Sequence, residues 1–185
     1  MKVSTVLSTV ALLATSVVAV PTSSNSLTKR EGPGTTLQEG YYWVRAVVEP
    51  YFHFYLQTDP LYSASTAIMG DHTTAGQFQI TDGQFEALID TDGTLYYLVP
   101  DEANATDKKL PLAFSKTKST LGTFEWQGDS VTWTADSIER SNPAAFLICT
   151  PGDELFINLG DYGYQTPEGC SDATIHYYND ASASE

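Results

Sequence analysis

The chain has 185 residues, with 23 acidic side chains against nine basic ones and a formal net charge of −14. That length suits one domain. A field of that sign excludes nucleic acid and anionic lipid as partners, since both need basic footprints, and suits an acidic medium or a polycationic partner.

The first element is a leader. Lys2 supplies a positive start, residues 3–18 form an apolar run without the polar face of a core helix, and Val17, Val18 and Ala19 put small residues at the cleavage positions. A signal peptide over residues 1–19, cut at Ala19, is expected. Residues 20–30 are polar, lack periodicity and end in Lys29-Arg30 ahead of the flexible Glu31-Gly32-Pro33-Gly34. They read as a propeptide ending in a dibasic processing site at Arg30, which leaves residues 31–185 as the folded domain. The leader holds three of the nine basic residues and no acid, so its removal takes the charge from −14 to −17. No later apolar stretch reaches membrane-spanning length, and residues 179–185 lack the apolar tail of a lipid-anchor signal. No membrane association is expected.

Beyond Arg30 no segment shows a sustained helical period. Short runs rich in Tyr, Phe, Trp, Val and Ile recur instead, broken by Asp-Gly, Gly-Asp, Pro-Gly and Asn-Pro. The pattern predicts strands over residues 41–48 and 51–57, the second with Phe52, Phe54 and Leu56 on one face and Tyr51, His53 and Tyr55 on the other. Further strands are predicted over 67–69, 77–80, 85–89, 94–99, 110–114, 124–126, 131–133, 145–149, 154–158 and 174–178. Asp82-Gly83 and Asp92-Gly93, between alternating segments, are hairpin signals because both turn positions favour positive φ. Residues 76–85 also line up with residues 122–131, matching Gly76 to Gly122, Phe78 to Phe124 and Ile80 to Trp126. About twelve strands in about three such units predict an all-β, single antiparallel domain, a β-trefoil-like barrel in preference to a two-sheet sandwich.

Cys149 and Cys170 are the two cysteines of the chain. In a secreted protein that even count implies one disulfide, and closing about twenty residues contributes roughly 3 kcal/mol. They have no His or acid pair at short spacing, so a zinc site is not expected. Asn104-Ala105-Thr106 is an N-glycosylation sequon in the most polar stretch of the mature chain.

Chemistry is harder to find. His53 lies among aromatics and reads as structural, His72 has no partner histidine, and His176 sits in the last predicted strand. No G-x-S-x-G, H-E-x-x-H or phosphate-cradling glycine loop occurs, so no cofactor, metal or catalytic residue is expected and the chain does not read as an enzyme. Asp90, Asp92, Asp153 and Glu154 lie at turns, where acids are ordinary. Adjacent aromatic pairs send one ring inward and one outward, and outward rings such as Tyr42, Tyr55, Tyr97 and Tyr178 are candidates for stacking on sugars.

The order G-x-F-x-W-x-x-x-x-V-x-W, F-L-I-C, L-F-I-N-L-G, a second Cys and a last strand resembles small secreted fungal cell-wall proteins, the PhiA-like proteins and more distantly the C-terminal domain of PIR-type mannoproteins. The resemblance covers about residues 76–178 and implies a glycosylated, disulfide-closed, non-catalytic wall component. PIR-type proteins carry a Q-I-x-D-G-Q-h-Q element esterified to glucan. Residues 79–86 match it except at Glu86, and by that match Gln79 would be the attachment point, although the same residues alternate as a folded hairpin would. The expected function is a structural or adhesive component of a fungal wall or secretome, contacting cell-wall polysaccharide. The alternatives are a secreted polysaccharide hydrolase using an acid pair and an effector binding a host protein. Oligomeric state is left open.

Overall fold

The computed structural model describes residues 1, 32–106 and 108–185. The expected signal peptide, its cut at Ala19 and the dibasic site at Arg30 lie outside the described residues. The strands are β1 (Trp43–Ala46), β2 (Tyr55–Asp59), β3 (Thr66–Gly70), β4 (Gln77–Thr81), β5 (Gln84–Leu88), β6 (Leu95–Pro100), β7 (Lys109–Ser115), β8 (Thr123–Gln127), β9 (Ser130–Thr134), β10 (Phe146–Cys149), β11 (Glu154–Asn158), β12 (Cys170–Ala173) and β13 (Ile175–Tyr178). All pair antiparallel in one sheet of order β4-β5-β6-β7-β11-β3-β2-β1-β13-β9-β8, with β10 joined to β11 and β12 off this path.

The ends of that path meet. The Phe124 N–H, on β8, donates to the Gly83 carbonyl in the β4–β5 turn at 2.9 Å, and an isolated bridge pairs Tyr42 with Phe78 on β4. The sheet is therefore a nearly closed antiparallel barrel rather than two separate sheets. The two segments that look alike in sequence form two hairpins, β4–β5 and β8–β9, each with a two-residue turn. They become neighbours at the closure, where the Phe85 ring lies 5.6 Å from Phe124 and 6.1 Å from Trp126. Asp82 and Gly83 adopt φ of 51° and 76°, as the hairpin signal requires.

Local patterning explains the core. On β7, Leu110, Leu112 and Phe114 are buried while the residues between them are half-buried, the period-2 signature of a strand with one face inward. Phe78, Phe85, Phe124, Trp133, Phe146 and Leu56 join them at 1% exposure or less. Arg140 ties the far side of the barrel. Its guanidinium donates to the carbonyls of Asn158 and Trp133 at 2.9 Å, to Pro143 at 3.4 Å and to Ala145. Burial pushes its pKa down to about 10.

Two expectations need correction. Residues 51–54 are not strand: Tyr51 donates to the Val48 carbonyl, Phe54 to Tyr51, and His53 takes a left-handed φ of 64°. Pro50, which has no N–H, opens a turn there, so the alternation expected from Tyr51 onward does not hold. The second correction is an additional strand. β12, reading CSDA, has no apolar alternation and pairs through Cys149↔Cys170 to Phe146↔Ala173. The disulfide joins Cys149 to Cys170 with Cα atoms 3.9 Å apart. No helix among the described residues is long and apolar enough to cross a membrane.

Candidate functional site

The residues 51–54 turn, which breaks the expected strand, builds the most distinctive surface feature. It projects Phe52 outward at 48% exposure and stacks the His53 ring on it, with centroids 3.9 Å apart and planes 21° from parallel. Phe54 lies beneath, packed against the core and edge-on to Tyr51 at 5.4 Å. Facing this turn is Asp153, also left-handed at φ 52°, whose carboxylate accepts from the Tyr51 hydroxyl at 3.0 Å. Burial, and then that bond, hold the Tyr51 pKa above its usual value. The end of β3 supplies the third wall.

There Asp71 caps the 3-10 helix His72–Thr74, accepting from the Thr73 hydroxyl at 2.6 Å and the Thr73 N–H at 2.8 Å. Those bonds hold its carboxyl below the ordinary value. Asp71 and Asp153, with Phe52, His53, Phe54, Gly70, His72 and Glu185, line an open groove of about 500 Å³. Its lining combines an aromatic shelf with three carboxylates and includes no Lys or Arg. Such a surface can stack the apolar face of a sugar ring and accept hydrogen bonds from its hydroxyls.

A second constellation lies on the outer face of the barrel. Strand register aligns Ser130, His176, Arg45, Tyr55 and Gly70 as one row across β9, β13, β1, β2 and β3. At one end of the row the His176 ring is bracketed: Nδ1 is 3.1 Å from Asp129 Oδ2, and Nε2 is 3.1 Å from Ser130 Oγ. The His176 side chain is 23% exposed and that of Asp129 63%. The row ends at Gly70, which lines the groove.

The tyrosines expected to face outward do not share one face. Tyr55 is buried at 0% exposure, which corrects the expectation of an open ring: its hydroxyl donates to the Ser184 carbonyl at 2.7 Å, under residues 181–185. Tyr178 is half-buried, with the Arg45 guanidinium carbon 3.9 Å above its ring. Tyr42, also half-buried, packs against Tyr177 at 4.8 Å and Trp126 at 5.6 Å. Tyr97 stands on β6 beneath the Lys118 ammonium, 5.5 Å away. None of the four lines the groove.

Gln79 is fixed in the β4–β5 hairpin, where its amide donates to Glu86 Oε2 at 2.7 Å. Asn104 is exposed in the 3-10 helix Glu102–Asn104, its amide donating to Asp101 Oδ2 at 2.6 Å. Of the acids noted at turns, Asp153 reaches the groove, while Asp92 accepts from Thr94 in its own turn. Phe52 and His53 were visible as aromatics but read as strand residues. Ser130 and His176, 46 positions apart, carried no local signal, and only the β9–β13 pairing joins them. Comparison with protein-family models, curated proteins and solved structures finds no match.

Proposed function

We propose that this chain is a secreted, N-glycosylated β-barrel of a fungal cell wall or secretome, acting as a structural or adhesive component that contacts wall polysaccharide. The observation that carries the reading is the Phe52–His53 stack, an aromatic shelf standing in an open 500 Å³ groove rimmed by Asp71, Asp153 and Glu185. A leader with signal-peptide order, the Asn104 sequon in an exposed turn and the Cys149–Cys170 disulfide support the extracellular part.

An acid-pair hydrolase would use the same groove. It fits less well, because a general acid needs a raised pKa and the Asp71 carboxyl is held low by Thr73. The effector reading calls for a broad exposed apolar patch, whereas Phe52 and Tyr164 are the large apolar side chains exposed in residues 32–106 and 108–185.

The test is retention of the purified protein on insoluble β-glucan and chitin. Wild type is expected to co-sediment with at least one of them, and Phe52→Ala to weaken binding by about tenfold, the loss of one stacked ring. Full recovery of wild type in the supernatant with every wall polysaccharide would overturn the reading.

A further inference from the structure

We propose that Ser130, His176 and Asp129 form a separate catalytic site that cleaves acyl esters carried on the hydroxyls of a polysaccharide. The arrangement has a nucleophile, a base and a group that orients the base, each within hydrogen-bond reach of the next at 3.1 Å. With Nδ1–H donating to Asp129, the neutral imidazole turns the lone pair of Nε2 to the Ser130 hydroxyl. The relay is not needed to hold the strands: the Tyr177 N–H donates to the Asp129 carbonyl at 2.8 Å, so the backbone alone fixes the β8–β9 turn on β13. That bond places the side chains in advance. Arg45, the cross-strand neighbour of His176, turns away onto the Tyr178 ring and the Tyr55 hydroxyl and leaves Nε2 to Ser130.

The steps balance without an oxidant or cofactor. Ser130 Oγ attacks the ester carbonyl carbon as its proton passes to His176 Nε2. The bond from that carbon to the sugar oxygen breaks, and the sugar oxygen takes the proton from Nε2. Water, losing a proton to Nε2, then attacks acyl-Ser130. The carboxylic acid leaves with Ser130 and neutral His176 restored, so ester and water become acid and alcohol. Asp129 acts through the imidazole as a positioning residue.

The substrate class follows from the surroundings and rests on the groove reading above. The relay opens on the outer face of the barrel, outside the groove, which suits an ester projecting from a large molecule. Four strand spacings, followed along the curved sheet, put it about 19 Å from Gly70 at the groove, with residues 181–185 lying over the middle of the row. A polysaccharide seated on Phe52 can therefore present its acyl groups to Ser130.

The experiment treats the full mature chain with a fluorophosphonate probe, reads intact mass and maps the label. It also follows turnover of 4-nitrophenyl acetate and acetate release from an O-acetylated polysaccharide. The expected result is one label on Ser130, absent in Ser130→Ala and His176→Gln, with turnover falling about 10²–10⁴-fold in both. Asp129→Asn slows acylation and Asp129→Glu restores part of it. Folded wild type that takes no label, a label elsewhere, or variants that turn over at the wild-type rate would overturn the site, whatever polysaccharide retention shows. Turnover of the small ester without release from the polysaccharide keeps the catalytic site and overturns its substrate class. Labelling together with failure to bind any polysaccharide keeps the relay and removes the groove reading.

Discussion

Phe124 and Gly83 stand 2.9 Å apart, N–H to carbonyl, and that bond closes the two ends of the sheet on each other. Gly83 sits at φ 76°, and a Cβ there would come within 2.9 Å of Thr123 Cγ2. Both the backbone conformation and the close approach call for glycine. Gly83→Val is expected to lower stability by about 2–3 kcal/mol, read as a fall in urea midpoint at unchanged m-value. Asp82→Gly, in the same turn and also at positive φ, should leave the stability within about 0.5 kcal/mol of wild type.

Arg140 gives a second stability prediction. Its guanidinium serves four backbone carbonyls near the ends of β9, β10 and β11. Pro143 and Ala145 keep backbone donors from the Trp133 and Asn158 N–H groups, so Arg140→Ala removes the guanidinium chiefly from the Trp133 and Asn158 carbonyls and should cost about 2–3 kcal/mol by chemical denaturation. Arg140→Lys should recover only part of it, since one ammonium cannot reproduce a planar fork spread over several acceptors.

The disulfide anchors a short strand that is paired on one side only. β12 is polar and four residues long, and it pairs with β10 alone. Two residues beyond the closed loop, Asp172 accepts from three groups within it: Asn158 Nδ2 at 2.6 Å, the Gly163 N–H at 3.2 Å and Thr166. Replacing both cysteines with Ser is expected to cost about 2–5 kcal/mol. Amide exchange should accelerate first in residues 170–173 while β4–β7 stay protected.

The Asp71 cap sets an acid limit on the groove wall. Its pKa is lowered from 3.8, first by the Thr73 hydroxyl and then by the Thr73 amide. The folded form therefore binds this proton less readily than the unfolded chain. The cap's contribution is fully present above 3.8 and is lost as the pH falls through the lower folded value. A titration of the Thr73 amide by NMR should show a midpoint below 3.8, returning toward that value in Thr73→Ala when followed on the Asp71 carboxyl.

Legibility followed the range of the interactions. The alternation of Leu110, Leu112 and Phe114 and the Asp82-Gly83 turn are local features, so β7 and the β4–β5 hairpin could be read directly. Pairing decided what was missed. β12 becomes strand because Cys149 and Cys170 stand opposite each other, and Tyr55 is covered because Leu37 and Ala181 join the chain's two flanks over the barrel's outer face. The groove was hidden for a different reason: Pro50 turned an apparently alternating aromatic run into a projecting corner.

From residues alone came the all-β class, most of the strands, the paired cysteines and the acidic field, because side-chain period, turn chemistry and charge are written within a few positions of each other. The order of the strands, the barrel closure between the two similar hairpins, and the meeting of Ser130 with His176 belong to the tertiary structure. Each depends on contacts between distant segments, whose choice is settled by which apolar faces can be buried together and not by any local preference.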